Sequence, residues 1–177
     1  ELRTLVTRCN KLERVIFHAS AGIEQDYTGI DTVVPKHIIR GLLPRKASLR
    51  HLGIKWPWLP FLYDENKELI TSLKEFTALE TLYLDGDCLC FDTIENGDDF
   101  EQSYRTMPIS SLINLLPASI RTVALDGERL SLYEPFLALA RRAKQGSFPR
   151  FKEFKVTGYK ESFYPFHFGH VRKAMEA

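Results

Sequence analysis

One short pattern of apolar and variable residues occurs five times along the chain. An apolar residue is followed by two variable residues, a second apolar residue, one variable residue and a third apolar residue. The five copies are Leu12/Val15/Phe17, Leu49/Leu52/Ile54, Leu79/Leu82/Leu84, Ile120/Val123/Leu125 and Phe151/Phe154/Val156. Their starting positions are 37, 30, 41 and 31 residues apart. The pattern predicts a repeated unit with connections of variable length, and the alternation within each copy predicts a short strand.

Apolar residues with helical spacing precede every copy, at positions that would form one stripe along a helix. The predicted stripes are Leu2, Leu5 and Cys9; Ile38, Ile39, Leu42 and Leu43; Leu69, Ile70, Leu73 and Phe76; Ile109, Leu112, Ile113 and Leu116; and Phe136, Leu137, Ala140 and Ala143. Pro44 and Pro117 are predicted to end two of these helices, because proline has no backbone N–H to donate. Gly146 is predicted to end the last helix in a left-handed conformation, which costs glycine least.

A single unit of helix, turn and strand cannot bury its own apolar stripe, so the units are expected to stack. Each strand should then pair in parallel with the strand of the preceding unit, with the helices on the opposite side. Strands are about 4.8 Å apart whereas packed helices need about 8–10 Å, so the stack should curve with its strands on the concave face. The predicted fold is one α/β domain over residues 1–177, a solenoid of about five irregular helix-strand units.

These residues resemble the leucine-rich repeat region of fungal F-box-type proteins. The similarity is carried by the stretches LLPRKASLRHLGI, LKEFTALETLYLDG, LLPASIRTVALDG and GSFPRFKEFKV, and it extends over almost the whole chain. The resemblance implies a leucine-rich-repeat-like solenoid whose concave parallel sheet is the substrate-receptor surface of a ubiquitin ligase component. It also implies a separate F-box helical segment, outside this sequence, that engages the Skp1 adaptor.

Composition adds limits on class and location. With 44% apolar and 27% charged residues the chain has the composition of an ordinary soluble protein, and its apolar runs are far shorter than the roughly 20 residues of a membrane span. Three cysteines, Cys9, Cys88 and Cys90, form no disulfide framework by their spacing. They favour a reducing compartment, so a cytoplasmic or nuclear location is expected. The chain begins at Glu1 within a helical pattern, which is typical of a fragment of a longer array.

The net charge of +1 conceals an uneven distribution. Residues 1 to 60 contain 10 Lys and Arg against 5 Asp and Glu, residues 61 to 104 contain 2 against 12, and residues 105 to 177 contain 12 against 6. Such segregation favours partners with complementary patches. Surface loops that merely differ in charge would give the same distribution.

The positions between the apolar residues of the strands are predicted to form three rows across the concave face. The first row is Arg14, His51, Thr81, Thr122 and Glu153; the second is Ile16, Gly53, Tyr83, Ala124 and Lys155; the third is His18, Lys55, Asp85, Asp126 and Thr157. Tyr83 is the expected anchor for a partner, because a rigid amphipathic ring loses little conformational entropy on binding. The competing interpretation is a face that is only solvated.

Acidic and thiol side chains at the strand ends are interpreted as structural. Asp85 and Asp126 each precede a glycine, and the Asp-Gly pair is typical of a turn. The stretch DGDCLCFDTIEN has glycine and glutamate positions that do not fit an EF-hand calcium loop. Cys88 and Cys90 are one residue too close for a C-x-x-C motif, and one of the two thiols is expected to pack inward. The sequence therefore predicts no metal site and no cofactor.

Two segments between the strands leave alternatives open. The stretch KWPWLPFLYDE places Trp56, Trp58, Phe61 and Tyr63 in an extended aromatic loop, which would either cover the edge of the core or form a peptide-binding patch. Residues 91 to 108 contain five acidic residues against one basic residue and are expected to be a loop beside the binding face. Residues 168 to 177 are similar to the first helix of a sixth unit, and the pair His167 and His170 lies at its start.

The resulting prediction is a non-enzymatic protein-protein recognition module. Sequence motifs for phosphate-binding loops, nucleophile elbows, zinc proteases and kinases do not occur. The basic residues are scattered rather than arranged in an aromatic-interleaved stripe, so neither nucleic acid nor a membrane is an expected partner. Two alternatives stay open: a scaffold with no ubiquitin link, and a hydrolase that uses the carboxylates of the central units.

Overall fold

A parallel sheet of five strands forms the centre of the protein. The computed structural model describes residues 2–18, 34–55, 69–89, 105–106, 108–126, 130–131 and 133–157. The sheet contains β1 (Arg14–His18), β2 (His51–Lys55), β3 (Thr81–Asp85), β5 (Thr122–Asp126) and β7 (Glu153–Thr157), and the strands are neighbours in chain order. Two short strands, β4 (Arg105–Thr106) and β6 (Leu130–Ser131), pair in parallel in a second sheet. The predicted α/β class with a parallel sheet is confirmed.

Four helices lie within the described ranges: α1 (Leu2–Arg8), α2 (Pro35–Leu42), α3 (Ser111–Leu115) and α4 (Tyr133–Lys144). None of these is both long enough and apolar enough to cross a membrane. One cluster of buried side chains contains residues of every helix and of β2, β3 and β5, and the core-facing apolar residues of β1 and β7 pack against it. The four helices therefore cover the same face of that sheet.

The strands align so that equivalent positions of the sequence repeat are neighbours. The middle apolar residues form one continuous row through the sheet: Val15, Leu52, Leu82, Val123 and Phe154. The core-facing apolar residues of β2, β3 and β5 are almost completely buried, whereas those of the outer strands β1 and β7 are half-buried. An inner strand is covered by a neighbour on each side, and an outer strand by one.

A backbone hydrogen bond pattern recurs at the entry to each strand. The carbonyl oxygen of Glu13 accepts from the amides of Arg50 and His51, at 2.8 and 2.9 Å. The carbonyl oxygens of Arg50, Glu80 and Arg121 accept in the same way from two amides of the following unit, at 2.8–3.1 Å. Four equivalent junctions thus have the same geometry, although the connections between them differ in length.

Serine side chains reinforce two of these junctions. The hydroxyl of Ser48 donates to the carbonyl oxygen of Leu12 at 3.1 Å, and that of Ser119 donates to Leu79 at 2.8 Å. Both serines directly precede the first apolar residue of a repeat, and both bond to the first apolar residue of the preceding unit. The side chains therefore fix neighbouring units at equivalent places.

The predicted helix ends are confirmed. Helix α2 ends at Leu42 and is followed by one 3-10 turn that contains Pro44. Helix α3 ends two residues before Pro117. Gly146 follows α4 with a φ of 85°. Its amide donates to the carbonyl of Ala143, and the amide of Ser147 donates to that of Arg142, both at 3.0 Å. These two hydrogen bonds form the Schellman motif, which satisfies carbonyls that the helix itself leaves without donors.

Two of the predicted helix stripes are displaced. In α1 the buried residue is Val6, at 1% exposure, whereas Leu5 is 63% exposed. Leu2, Val6 and Cys9 have a helical spacing as good as that of Leu2, Leu5 and Cys9, and packing against the second unit selects the former. In the fourth unit Ile109 lies before the helix and is exposed.

The last helix is rotated relative to its prediction. Leu139 of α4 is fully buried, whereas Leu137 is only half-buried. Phe136 contacts Phe154 of β7, with ring centroids 4.6 Å apart, and this aromatic contact fixes the helix against the sheet. The stripe therefore includes Leu139 in addition to the residues that the spacing indicated.

The helix predicted over residues 69 to 76 does not form. Ile70, Leu73 and Phe76 are buried as expected, but the segment is irregular and contains turns. The hydroxyl of Ser72 accepts from the amide of Lys74 at 3.3 Å, a local bond that competes with helix formation. The amide of Leu73 donates to the carbonyl of Leu115 at 2.7 Å, so it pairs with the neighbouring unit instead of within a helix.

The row of apolar residues predicts where the fold is most sensitive. Leu82→Ala removes a fully buried side chain from the middle strand, and we expect it to lower the free energy of unfolding by about 2–5 kcal/mol in urea titration. Leu5→Ala makes the same chemical change at an exposed site and should cost less than about 0.5 kcal/mol. Equal effects of the two substitutions would contradict the assignment of the core.

Candidate functional site

The face of the large sheet opposite the helices is the candidate site. Since side chains alternate along a strand, the residues between the core positions point away from the helices. We call this surface the open face, and its described residues are Arg14, Ile16, His18, His51, Gly53, Lys55, Thr81, Tyr83, Asp85, Thr122, Ala124, Asp126, Glu153 and Lys155. All eleven residues predicted for the concave face lie on this surface.

The three predicted rows match the register of the sheet. The first row pairs Arg14 with His51, His51 with Thr81, Thr81 with Thr122 and Thr122 with Glu153. The second row, through Tyr83, is equally continuous. In the third row His18 pairs with Lys55, and Asp85 with Asp126. Lys55 and Asp85 each follow the last paired residues of β2 and β3, which are Ile54 and Leu84.

Exposure differs across the open face. The polar residues on β1 and β2 are exposed, as are Glu153 and Lys155 on β7, and Ile16 exposes 67% of its surface. The side chains on β3 and β5 are half-buried. Solvent thus reaches the polar side chains of β1, β2 and β7 most freely, and the centre of the face is the part where side chains are held by their neighbours.

The central contact of the open face joins Tyr83 to Asp126. The phenol hydroxyl of Tyr83 donates to Oδ2 of Asp126 at 2.7 Å. The carboxylate is two positions beyond the residue that pairs with Tyr83, a diagonal distance that a long aromatic side chain spans. A hydrogen bond to a charged acceptor is stronger than one between neutral groups. The bond holds the ring in one orientation before any partner binds.

Small residues flank Tyr83 within its own row. Gly53 precedes it on β2 and Ala124 follows it on β5. A Cβ atom added at Gly53 would meet the Ile16 side chain at 3.6 Å, an ordinary van der Waals distance, so glycine is not required there by packing. The consequence is a Tyr83 ring with no bulky neighbour on either side in its row.

The charges of the open face are separated by strand. The face positions of β1 and β2 contain Arg14, Lys55 and two histidines and no acidic residue. The face positions of β3 and β5 contain Asp85 and Asp126 and no basic residue. On β7 the amino group of Lys155 lies 3.1 Å from a carboxylate oxygen of Glu153, so these charges offset each other. One half of the face is basic and the adjoining part is acidic.

A second line of charges lies at the entry to the strands, just outside the open face. The Glu80 carboxylate is 3.2 Å from the Arg121 guanidinium and 4.0 Å from that of Arg50. Both arginine side chains are about half exposed, so the pairs contribute little stability. A register shift would separate these opposite charges, so the pairs favour the observed register.

Asp85 and Asp126 acquire a different interpretation from the structure. They are paired positions of neighbouring strands on the same face, as the third predicted row implied. The turn predicted after Asp85 is present as a 3-10 turn over Gly86–Cys88. This turn does not use the positive φ that glycine tolerates, since Gly146 is the only glycine with positive φ in the described ranges. Asp126, moreover, is the acceptor for Tyr83 and more than a turn residue.

Other predicted chemical features are placed only in part. Cys88 is fully buried, which confirms that a thiol packs inward at this strand end. Among the residues whose positions are described, no group of three or more His, Cys, Asp or Glu could hold a metal ion. Several predicted features lie outside the described residues: Trp56, Trp58, Phe61, Tyr63, Cys90, the acidic residues 92 to 101, Gly127, His167, His170 and the segment 168–177.

Comparison with known proteins identifies no relative. No protein-family model, curated protein or solved structure matches the chain. The assignment of a site consequently depends on the sheet geometry and on the chemistry of its side chains.

The Tyr83–Asp126 bond can be measured by a double-mutant cycle. Tyr83→Phe and Asp126→Ala should each destabilise the protein in urea titration, and their coupling free energy should be about 1 kcal/mol. Tyr133→Phe, on α4, is the matched control and should show no coupling with Asp126→Ala. A coupling near zero for the Tyr83 pair would mean that the bond does not order the ring.

Proposed function

We propose that the protein is a non-enzymatic recognition module that binds a protein partner on the open face. The observation that carries the proposal is the ordered Tyr83 side chain at the centre of the sheet face opposite the helices. Tyrosine contributes strongly to binding where its ring is held in place, because little side-chain entropy is then lost on association. The Tyr83–Asp126 hydrogen bond supplies that order.

The proposal includes a curved repeat architecture. Four equivalent strand-entry junctions and two equivalent serine bonds support a stack of similar units, each bonded to the one before. Strands about 4.8 Å apart on one side and helices about 8–10 Å apart on the other would curve such a stack toward its strands. The open face would then be concave. A leucine-rich-repeat-like solenoid is the architecture we propose.

A second candidate function uses the neighbouring carboxylates of Asp85 and Asp126. Their pairing on one face meets one geometric requirement of carboxylate-dependent hydrolysis. Such chemistry also needs two carboxyl groups in different environments, so that one is protonated while the other is charged. Both residues are half-buried on the same open surface, and Asp126 is engaged by Tyr83. Binding therefore accounts for more of the observed arrangement than hydrolysis does.

The ubiquitin-ligase interpretation is the finer form of the proposal and is supported by the sequence resemblance. In this form the module presents a bound substrate while an F-box segment of the full-length protein binds the Skp1 adaptor. A scaffold of the same architecture with no ubiquitin link would use the same open face. The two forms differ only in adaptor binding.

Adaptor binding separates these two forms. Purified full-length protein, immobilised through a tag, should retain purified Skp1 adaptor, while the 177-residue chain alone should not. Retention by neither protein would eliminate the ligase form and leave the scaffold.

The docking role of Tyr83 is tested by comparative affinity capture. Proteins recovered with the wild-type full-length chain are quantified by mass spectrometry against those recovered with Tyr83→Ala and with Tyr133→Ala, an exposed tyrosine of α4. A genuine partner should be depleted only by Tyr83→Ala, and its affinity should fall by about 2 kcal/mol in a subsequent titration. If recovery of every captured protein is independent of Tyr83, the open face is not the docking surface.

A further inference from the structure

The separation of charge on the open face restricts what it can bind. The basic half is formed by β1 and β2, and the acidic part by the ends of β3 and β5, with Tyr83 on β3 two residues before Asp85. A partner with only one sign of charge is attracted to one part and repelled by the other, and such repulsion suppresses wrong partners. Nucleic acid is one example, because its phosphates would meet Asp85 and Asp126.

The size of the face indicates the form of its partner. Five strands about 4.8 Å apart, each with five residues that rise about 3.3 Å, present an area of roughly 400 Å². A stable interface between folded proteins buries about 800 Å² on each partner. The open face is therefore better matched to a single extended segment, and its affinity should be modest.

We propose that the open face binds an extended protein segment that carries a carboxylate over β1 and β2 and an arginine over the ends of β3 and β5. This inference rests on the proposed function and deepens it by stating the chemistry of the partner. The centre of the basic half, between β1 and β2, and the centre of the acidic part, between β3 and β5, are two strand spacings apart, which is about 10 Å. An extended chain covers that distance in about three residues.

Arginine fits the acidic part of the face better than lysine. Oδ2 of Asp126 accepts from Tyr83, and a carboxylate group has further acceptor positions on both oxygens. The planar guanidinium donates several hydrogen bonds in a fixed fork, and it also packs on aromatic rings. Tyr83 and the two aspartates thus offer one cation both a ring and carboxylates.

The test uses short fluorescein-labelled peptides as probes. One peptide joins an acidic block to an arginine block, and two others of the same length are uniformly acidic and uniformly arginine-rich. We expect the two-block peptide to bind the wild-type protein at least about tenfold more tightly than either uniform peptide in fluorescence anisotropy at low ionic strength. Equal binding of all three would overturn the inference, and this comparison requires no variant.

Charge reversal locates the effect on the face. Arg14→Glu with Lys55→Glu makes β1 and β2 acidic like β3 and β5, so the two-block peptide should lose about tenfold in affinity while the arginine-rich peptide gains. Lys74→Glu with Arg150→Glu makes the same change in net charge at exposed positions in turns, and it should leave the order of the peptides unchanged. An equal loss in both double variants would overturn the inference.

Failure of this inference is distinguishable from failure of the proposed function. If the peptides bind equally but a captured partner still depends on Tyr83, the charge rule is rejected and the docking surface is retained. If no captured protein depends on Tyr83, the docking surface itself is rejected.

Discussion

Burial of each unit's apolar strand residues against the next unit is the constraint on which the structure depends. A two-residue alternation gives each strand an apolar side, but five residues present too little surface to form a core alone. The row through Val15, Leu52 and Leu82 is continuous because neighbouring strands share one register. The same register fixes the opposite side of the sheet, so the open face follows directly from how the core is packed. Core and candidate site are two sides of one arrangement.

The strands were predictable from sequence to a degree that the helices were not. A strand residue points either to the core or away from it, so a period of two leaves only two choices, and the apolar residues decide between them. A helix of two or three turns has several stripes of similar quality, as Leu5 and Val6 illustrate, and tertiary packing selects one. The segment from Leu69 to Phe76 failed for another reason, since Ser72 and the backbone of Leu73 form hydrogen bonds that a helix would exclude.

The composition of the candidate site was predictable, but its contacts were not. Register places Tyr83 beside Ala124, and both positions follow from the sequence repeat. The hydrogen bond from Tyr83 to Asp126 is diagonal and depends on a side-chain conformation, which no spacing of residues reveals. The Asp-Gly pair drew attention to a turn and so concealed this second role of Asp126. A tyrosine placed one strand away from an aspartate on the same face, two positions further along, is the signal that would have identified the pair.

An experiment should test the strand order and register first, because the core, the open face and the proposed partner all depend on them. In a sample with labelled methyl groups, nuclear Overhauser contacts should connect Val15 with Leu52, Leu52 with Leu82 and Leu82 with Val123 in one continuous series. Such a series arises only if four strands lie side by side in the observed register. Methyl groups of Leu52 and Leu82 without mutual contacts, or contacts shifted by one residue, would contradict the arrangement and remove the open face with it.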